Sequence, residues 1–135
     1  MNIYLAASWS QRKLMRDVYD HLIAIDIGVT SHWIFSDDPK GMGPDDVARD
    51  PDKAIKGASR DLLDINTADL VAVFTYAPST TGGFHVEFGY ALSRAKPVDI
   101  IGPSPNVFYS LDMPEVRHFD NTVDWFDQLQ KDKEN

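Results

Sequence analysis

Glu87 and Asp61 are candidate side chains for attack on carbon and for proton transfer, and Tyr4 offers a hydroxyl from the first strand. Glu87 sits in the run Thr80-Thr81-Gly82-Gly83-Phe84-His85-Val86-Glu87-Phe88-Gly89-Tyr90-Ala91-Leu92, which follows the apolar segment Leu70 to Phe74. A strand, a glycine turn and a helix start is where open α/β sheets bind ligands, beyond the carboxyl ends of their strands. Two adjacent glycines let the backbone come close to a bound group. Glu87 is expected in the first turn of that helix, where the positive end of the helix dipole favours an ionised carboxylate. An ionised carboxylate aimed into a cleft is a nucleophile or a base. A helix-terminus charge beside a tight turn is the bland alternative, and spacing leaves both open.

Asp61 lies on the helix expected to precede the third strand, which makes it and Glu87 a candidate carboxylate pair. Two carboxylates in different environments suit cleavage at an anomeric carbon: one attacks or stabilises, the other moves a proton. Arg60 and Asp61 as a solvated helix pair is the competing reading. Tyr4, within the first strand, either reaches the cleft from below or is a core tyrosine with a satisfied hydroxyl. Trp9 and Trp33 either stack on a nucleobase, since every base has a π face, or fill the core.

Other chemistries lack their residues. His85 and Glu87 form H-x-E, but the zinc deaminase signature also needs P-C-x-x-C, and the chain has no cysteine. His21, His32 and His118 show no metal-ligand spacing. Gly82-Gly83 lacks the lysine of a P-loop and the G-x-G-x-x-G of a dinucleotide site, and no serine sits in G-x-S-x-G. Neither a cofactor nor a metal is expected.

The elements that must hold these residues alternate. Asn2 to Ala7 reads as a central strand. Ser8 and Gln11 have capping-box spacing before a helix with the stripe Leu14, Val18, Leu22 and Ile25. Gly28 reads as its stop, and Val29 to Phe35 as a second strand. Ser36 to Pro51 is a long surface loop with room for a short helix near Asp45 to Ala48; loops of this length are often lids. Asp50-Pro51 opens a helix to Asn66, with Ala54, Ile55, Ala58, Leu62 and Ile65 as its buried face and Asp64 in solvent. Ala68 to Thr75, Val98 to Gly102 and Val116 to Phe119 complete the strands. A helical turn capped by Asn106 precedes the last strand. A helix over Asn121 to Gln130, with Val123, Phe126 and Leu129 inward, follows it, and Lys131 to Asn135 should fray. This alternation implies one α/β domain over residues 1 to 135: a flavodoxin-like, Rossmann-like, five-stranded parallel sheet of order 2-1-3-4-5, with helices on both faces.

The chain has 135 residues and a net charge of -8. That charge disfavours a nucleic-acid polymer as partner. A small anion is still compatible, because a nest of backbone N–H groups binds phosphate in an acidic protein. No stretch is long enough to span a bilayer, and the N-terminus enters a strand with no basic n-region, so a cytoplasmic protein is expected.

Taken together, these residues resemble the nucleoside 2-deoxyribosyltransferase family and the related nucleoside 5'-monophosphate N-glycosidases. The resemblance runs from Ile3-Tyr4-Leu5-Ala6-Ala7 through Asp61-Leu62-Leu63-Asp64-Ile65-Asn66-Thr67-Ala68-Asp69. It is most specific at Gly83-Phe84-His85-Val86-Glu87-Phe88-Gly89-Tyr90-Ala91 followed by Lys96-Pro97-Val98. It implies that Glu87 attacks C1' of the sugar and forms a covalent glycosyl intermediate. Asp61 would protonate the leaving base and Tyr4 would orient Glu87. It also implies a substrate site drawn from Ala6, Ser8, Trp9, Ser10, Arg12 and Trp33, with Thr81, Gly82, Gly83, His85 and Asn106. The transferases are similar to each other in an Asp six residues before the nucleophile; this chain has Thr81 there. A hydroxyl suits a 5'-phosphate better than a carboxylate, which repels it. The resemblance implies a homodimer or higher homo-oligomer with shared sites, completed from Ser104 to Tyr109, where Phe108 and Tyr109 are expected to be exposed. A catalytically silent nucleotide-binding module on the same fold is the alternative.

Overall fold

A computed structural model describes residues 1–135. Its elements are β1 (Asn2–Ala6), α1 (Arg12–Ala24), β2 (Gly28–Val29), α2 (Pro44–Arg49), α3 (Pro51–Thr67), β3 (Leu70–Phe74), α4 (Gly83–Ser93), β4 (Val98–Ile101), β5 (Val116–Phe119) and α5 (Thr122–Glu134). The strands form one parallel sheet in the order β2-β1-β3-β4-β5, as the alternation implied.

β1 shows how the sheet sorts side chains. Successive strand residues point to opposite faces, so Ile3 and Leu5 join a core with Met15, Val18 and Leu22 of α1 and Trp125 and Leu129 of α5. Tyr4 and Ala6 join the other core, with Ile65 of α3 and Phe84, Phe88 and Ala91 of α4. Strand period alone therefore sends Tyr4 to the face that α3 and α4 cover. β3 is buried at all five positions, as a strand covered on both sides must be.

Several expectations are corrected. The second strand is two residues long, and Trp33–Phe35 is a single 3-10 turn. Side chains replace the ladder there: Leu5 N–H donates to Ser31 Oγ at 2.6 Å, and the Trp33 indole donates to Leu5 O at 2.8 Å. Ser8 and Gln11 form no capping box; a 3-10 turn over Trp9–Gln11 precedes α1, and Gln11 N–H bonds the Ser8 carbonyl instead. Met15 takes the buried place expected of Leu14. Gly28 opens β2, and the turn after α1 uses Asp26 at φ 63°.

α3 is buried only towards its C-terminal end. Ile55 is 62% exposed, whereas Asp64, expected in solvent, is 4% exposed. Asp64 is desolvated because three donors meet it: His32 N–H, His32 Nδ1 and Arg60 Nε, at 3.1, 2.8 and 3.2 Å. α5 buries Trp125, leaves Val123 exposed and stays helical to Glu134. Asp99 of β4, fully buried, accepts two bonds from Arg117 and one from Trp125.

Candidate active site

The carboxyl ends of β1 and β3 open into a cleft of about 370 Å³. Ala7, Ser8 and Trp9 wall it after β1, and Ser79, Thr80, Thr81 and Gly83 wall it after β3. Glu87 of α4 and Asp61 of α3 both line it, with Trp33 beside them. Sheet and helix register thus bring together residues that lie 26 positions apart in sequence.

Tyr4 reaches this site from within the sheet. It is fully buried, and its hydroxyl donates to the Glu87 carboxyl. Glu87 is the fifth residue of α4, one place beyond the first turn where it was expected. Burial, not the helix end, governs its charge. Desolvation pushes the Glu87 carboxyl up to about 8; the Tyr4 hydrogen bond opposes this, and the charge of Asp61 adds to it. Asp61 is pushed up to about 6, first by burial and then by Asp64, with His32 opposing. Tyr4 itself is held well above its usual value by burial and by Glu87, so it remains a proton donor. The cleft therefore contains two carboxyl groups of different acidity that share a proton near neutral pH.

Gly82 shapes the turn into α4. It sits at φ 81°, in the left-handed region that glycine tolerates, and it has no side chain to cap the helix. The N–H groups that open α4 therefore face the turn without a side-chain acceptor, an arrangement suited to an anion. Thr81 and Gly83 line the cleft at this end.

Six of the expected substrate contacts stand outside the cleft walls, Gly82 among them in the turn before α4. Ala6 is buried within the sheet. Ser10 faces solvent and pairs with Ser8 at 3.2 Å. Arg12 lies over the Trp9 ring at 4.5 Å and donates to the Ser36 carbonyl at 2.6 Å. Those contacts brace Trp9 and the following segment. His85 and Asn106 line a separate groove with Phe108 and Tyr109, on the far side of α4. Asn106 caps the turn over Val107–Ser110, as expected. The aromatic pair is only half exposed: Phe108 is 65% accessible, but Tyr109 is buried, stacked on Phe88 and bonded to His85 Nδ1 at 2.9 Å.

The structure adds wall residues that sequence reasoning did not single out: Lys40, Gly41, Met42, Gly43 and Asp46. They come from the loop whose role as a lid was left open, and they roof the cleft. Gly41 lies against the indole of Trp9, where an added Cβ would meet the ring at 3.4 Å. Asp46 fixes the turn by accepting from Gly43 N–H at 2.9 Å. The glycine pair around Met42 was the available signal, but loops have no periodicity to say where they point.

No family model and no curated protein matches the sequence. A solved structure does match: the CMP N-glycosidase BcmB of Clostridium botulinum, at a TM-score of 0.59 and 17% identity, covering 96% of this chain and 99% of that one. The chain shares the fold of that N-glycosidase.

Proposed function

We propose that this protein cleaves the N-glycosidic bond of nucleoside 5'-monophosphates. The observation that carries the reading is the placement of Glu87 and Asp61 in one cleft, with Tyr4 bonded to Glu87. The similar fold of a CMP N-glycosidase supports it. In the first step the form of the pair with its shared proton on Asp61 reacts: the Glu87 carboxylate attacks C1', and the bond from C1' to the base nitrogen breaks. Asp61 gives its proton to the departing base. In the second step Asp61 takes a proton from water, the water oxygen attacks C1', and Glu87 leaves as a carboxylate. Two inversions give net retention. A second base in place of water gives transfer.

Thr81 and the open N-terminus of α4 hold the 5'-phosphate, with Ser8 near them on the opposite wall. Trp9 and Trp33, with ring centroids 6.0 Å apart, offer aromatic surface for the base. A neighbouring subunit completes the site with its Ser104 to Tyr109 segment, so the active protein is a homodimer or larger. Sedimentation showing a fully active monomer would overturn that part.

The test is base release from nucleosides and their 5'-monophosphates, in wild type and Glu87→Ala, with and without an acceptor base. Release that needs both Glu87 and the phosphate establishes the reading. Cleavage of free nucleosides but not of monophosphates overturns it. A silent nucleotide-binding module is the second reading, favoured by the proton that burial keeps on Glu87 near neutral pH. Tight binding without release, at pH values on either side of about 8, would establish that module instead.

A further inference from the structure

The cleft does not end at Asp61. A second chamber of about 640 Å³ lies beyond it, between α3 and the segment leading into α2. Trp9, Trp33, Lys40, Met42 and Asp61 wall both spaces, so Asp61 stands at their boundary. A base must touch Asp61 to receive its proton, while its sugar lies at Glu87. The edge of the base remote from the sugar then projects past Trp33 into the second chamber.

That chamber is larger than the cleft, which is about 370 Å³. Small-molecule sites run from about 300 to 1,000 Å³, so the chamber by itself has room for far more than the outer edge of a single six-membered ring. Val47, Ala54 and Ala58 give it apolar walls. Lys53 and Arg60 bring hydrogen-bond donors to its rim, and the six-membered ring of a purine, remote from the sugar, presents acceptors such as guanine O6. Small side chains keep the space open: Gly57 and Ala58 sit on the exposed side of α3, and nothing lies within 4 Å of a Cβ built on Gly57.

Building on the N-glycosidase reading, we infer that the chamber beyond Asp61 selects nucleotides whose base is a purine, with the second ring lodged between Trp33, Met42 and α3. The selecting residues belong to α3 and the loop, not to the catalytic set.

Calorimetric binding of purine and pyrimidine nucleoside monophosphates to the full chain tests this, in a Glu87→Gln background that blocks turnover. Gly57→Trp and Ala58→Phe are the companion variants. Both fill the chamber from an exposed helix position, and Gly57→Trp replaces a poor helix former. Purine monophosphates should bind at least about tenfold tighter, the scale at which a filled apolar pocket discriminates. Either filling variant should shrink that gap to within about threefold, below the range in which an apolar pocket discriminates. Equal or pyrimidine-favouring binding overturns the inference, as does a gap that both filling variants leave intact. Base release by the wild-type protein is followed in parallel. Purine-selective binding with no release from any nucleotide upholds the chamber and overturns the N-glycosidase reading. Release with pyrimidine-favouring binding does the reverse.

Discussion

The hydroxyl of Tyr4, in the central part of the sheet, donates its hydrogen bond to the carboxyl of Glu87 on the helix that covers that sheet. This bond opposes the burial that raises Glu87. A hydrogen bond to the charged form lowers a carboxyl pKa, so removing it raises the pKa. Tyr4→Phe should therefore move Glu87 above its present value of about 8. In the pH profile of kcat/KM, the upper limb should shift upward, and activity at neutral pH should fall about tenfold or more. An upper limb that stays in place would show that Tyr4 does not act on Glu87.

The same burial has a consequence for folding. A carboxyl whose folded pKa lies above its unfolded value stabilises the fold fully below the unfolded pKa, and that contribution is lost as pH rises through the folded pKa. For Glu87 the window runs from its ordinary value of 4.5 to about 8, and for Asp61 from 3.8 to about 6. The protein should lose stability progressively as pH rises across this range. Glu87→Gln removes the larger part of the loss. Above pH 8 it should be more stable than wild type by about 2 to 4 kcal/mol, once solvent entering the cleft is allowed for, and so melt at a higher temperature. Thermal melts of both proteins through this range check the sign; parallel curves would contradict it.

Asp64 links the residues around Asp61. It is 4% exposed and holds His32 and Arg60, one helical turn from Asp61. The charges that face Asp61 are Asp64 from its own helix, His32 from the segment after β2 and Glu87 from α4. Asp64→Asn removes a negative charge, so the Asp61 pKa should fall from about 6 towards its ordinary value. The lower limb of the kcat/KM profile should move down with it. The fold should also lose about 1 to 3 kcal/mol, because the buried carboxylate that accepts from His32 and Arg60 gives up its charge-assisted hydrogen bonds. A stability loss with no movement of that limb would leave Asp64 a structural residue alone.

The sheet order was legible because β1, β3 and β4 are short apolar runs separated by helical stripes, and parallel connections admit few topologies. Tyr4, Asp61 and Glu87 were legible by type and by their places on those elements. β2 was not, because alternation through Val29 to Phe35 imitates a strand whose bonds actually go to Ser31 and Trp33 side chains. Asp64 was misplaced because helix periodicity cannot see His32, which lies 32 residues away in sequence. The charge of Glu87 was misread for a related reason: helix position is local, while its desolvation comes from elements distant in the chain. Lys40 and Met42 escaped notice because nothing in a loop sequence fixes which wall it will form.

Tyr4 belongs to a strand paired on both sides, whereas Met42, Val47 and Ala58 belong to a loop, a short helix and an exposed helix face. Tyr4 thus takes its place from the most constrained part of the backbone, and its hydrogen bond ties Glu87 to that place. The residues around the distal chamber answer to no such constraint. On the N-glycosidase reading, drift in those peripheral residues exchanges one substrate for another over evolutionary time while Tyr4 and Glu87 stay in place.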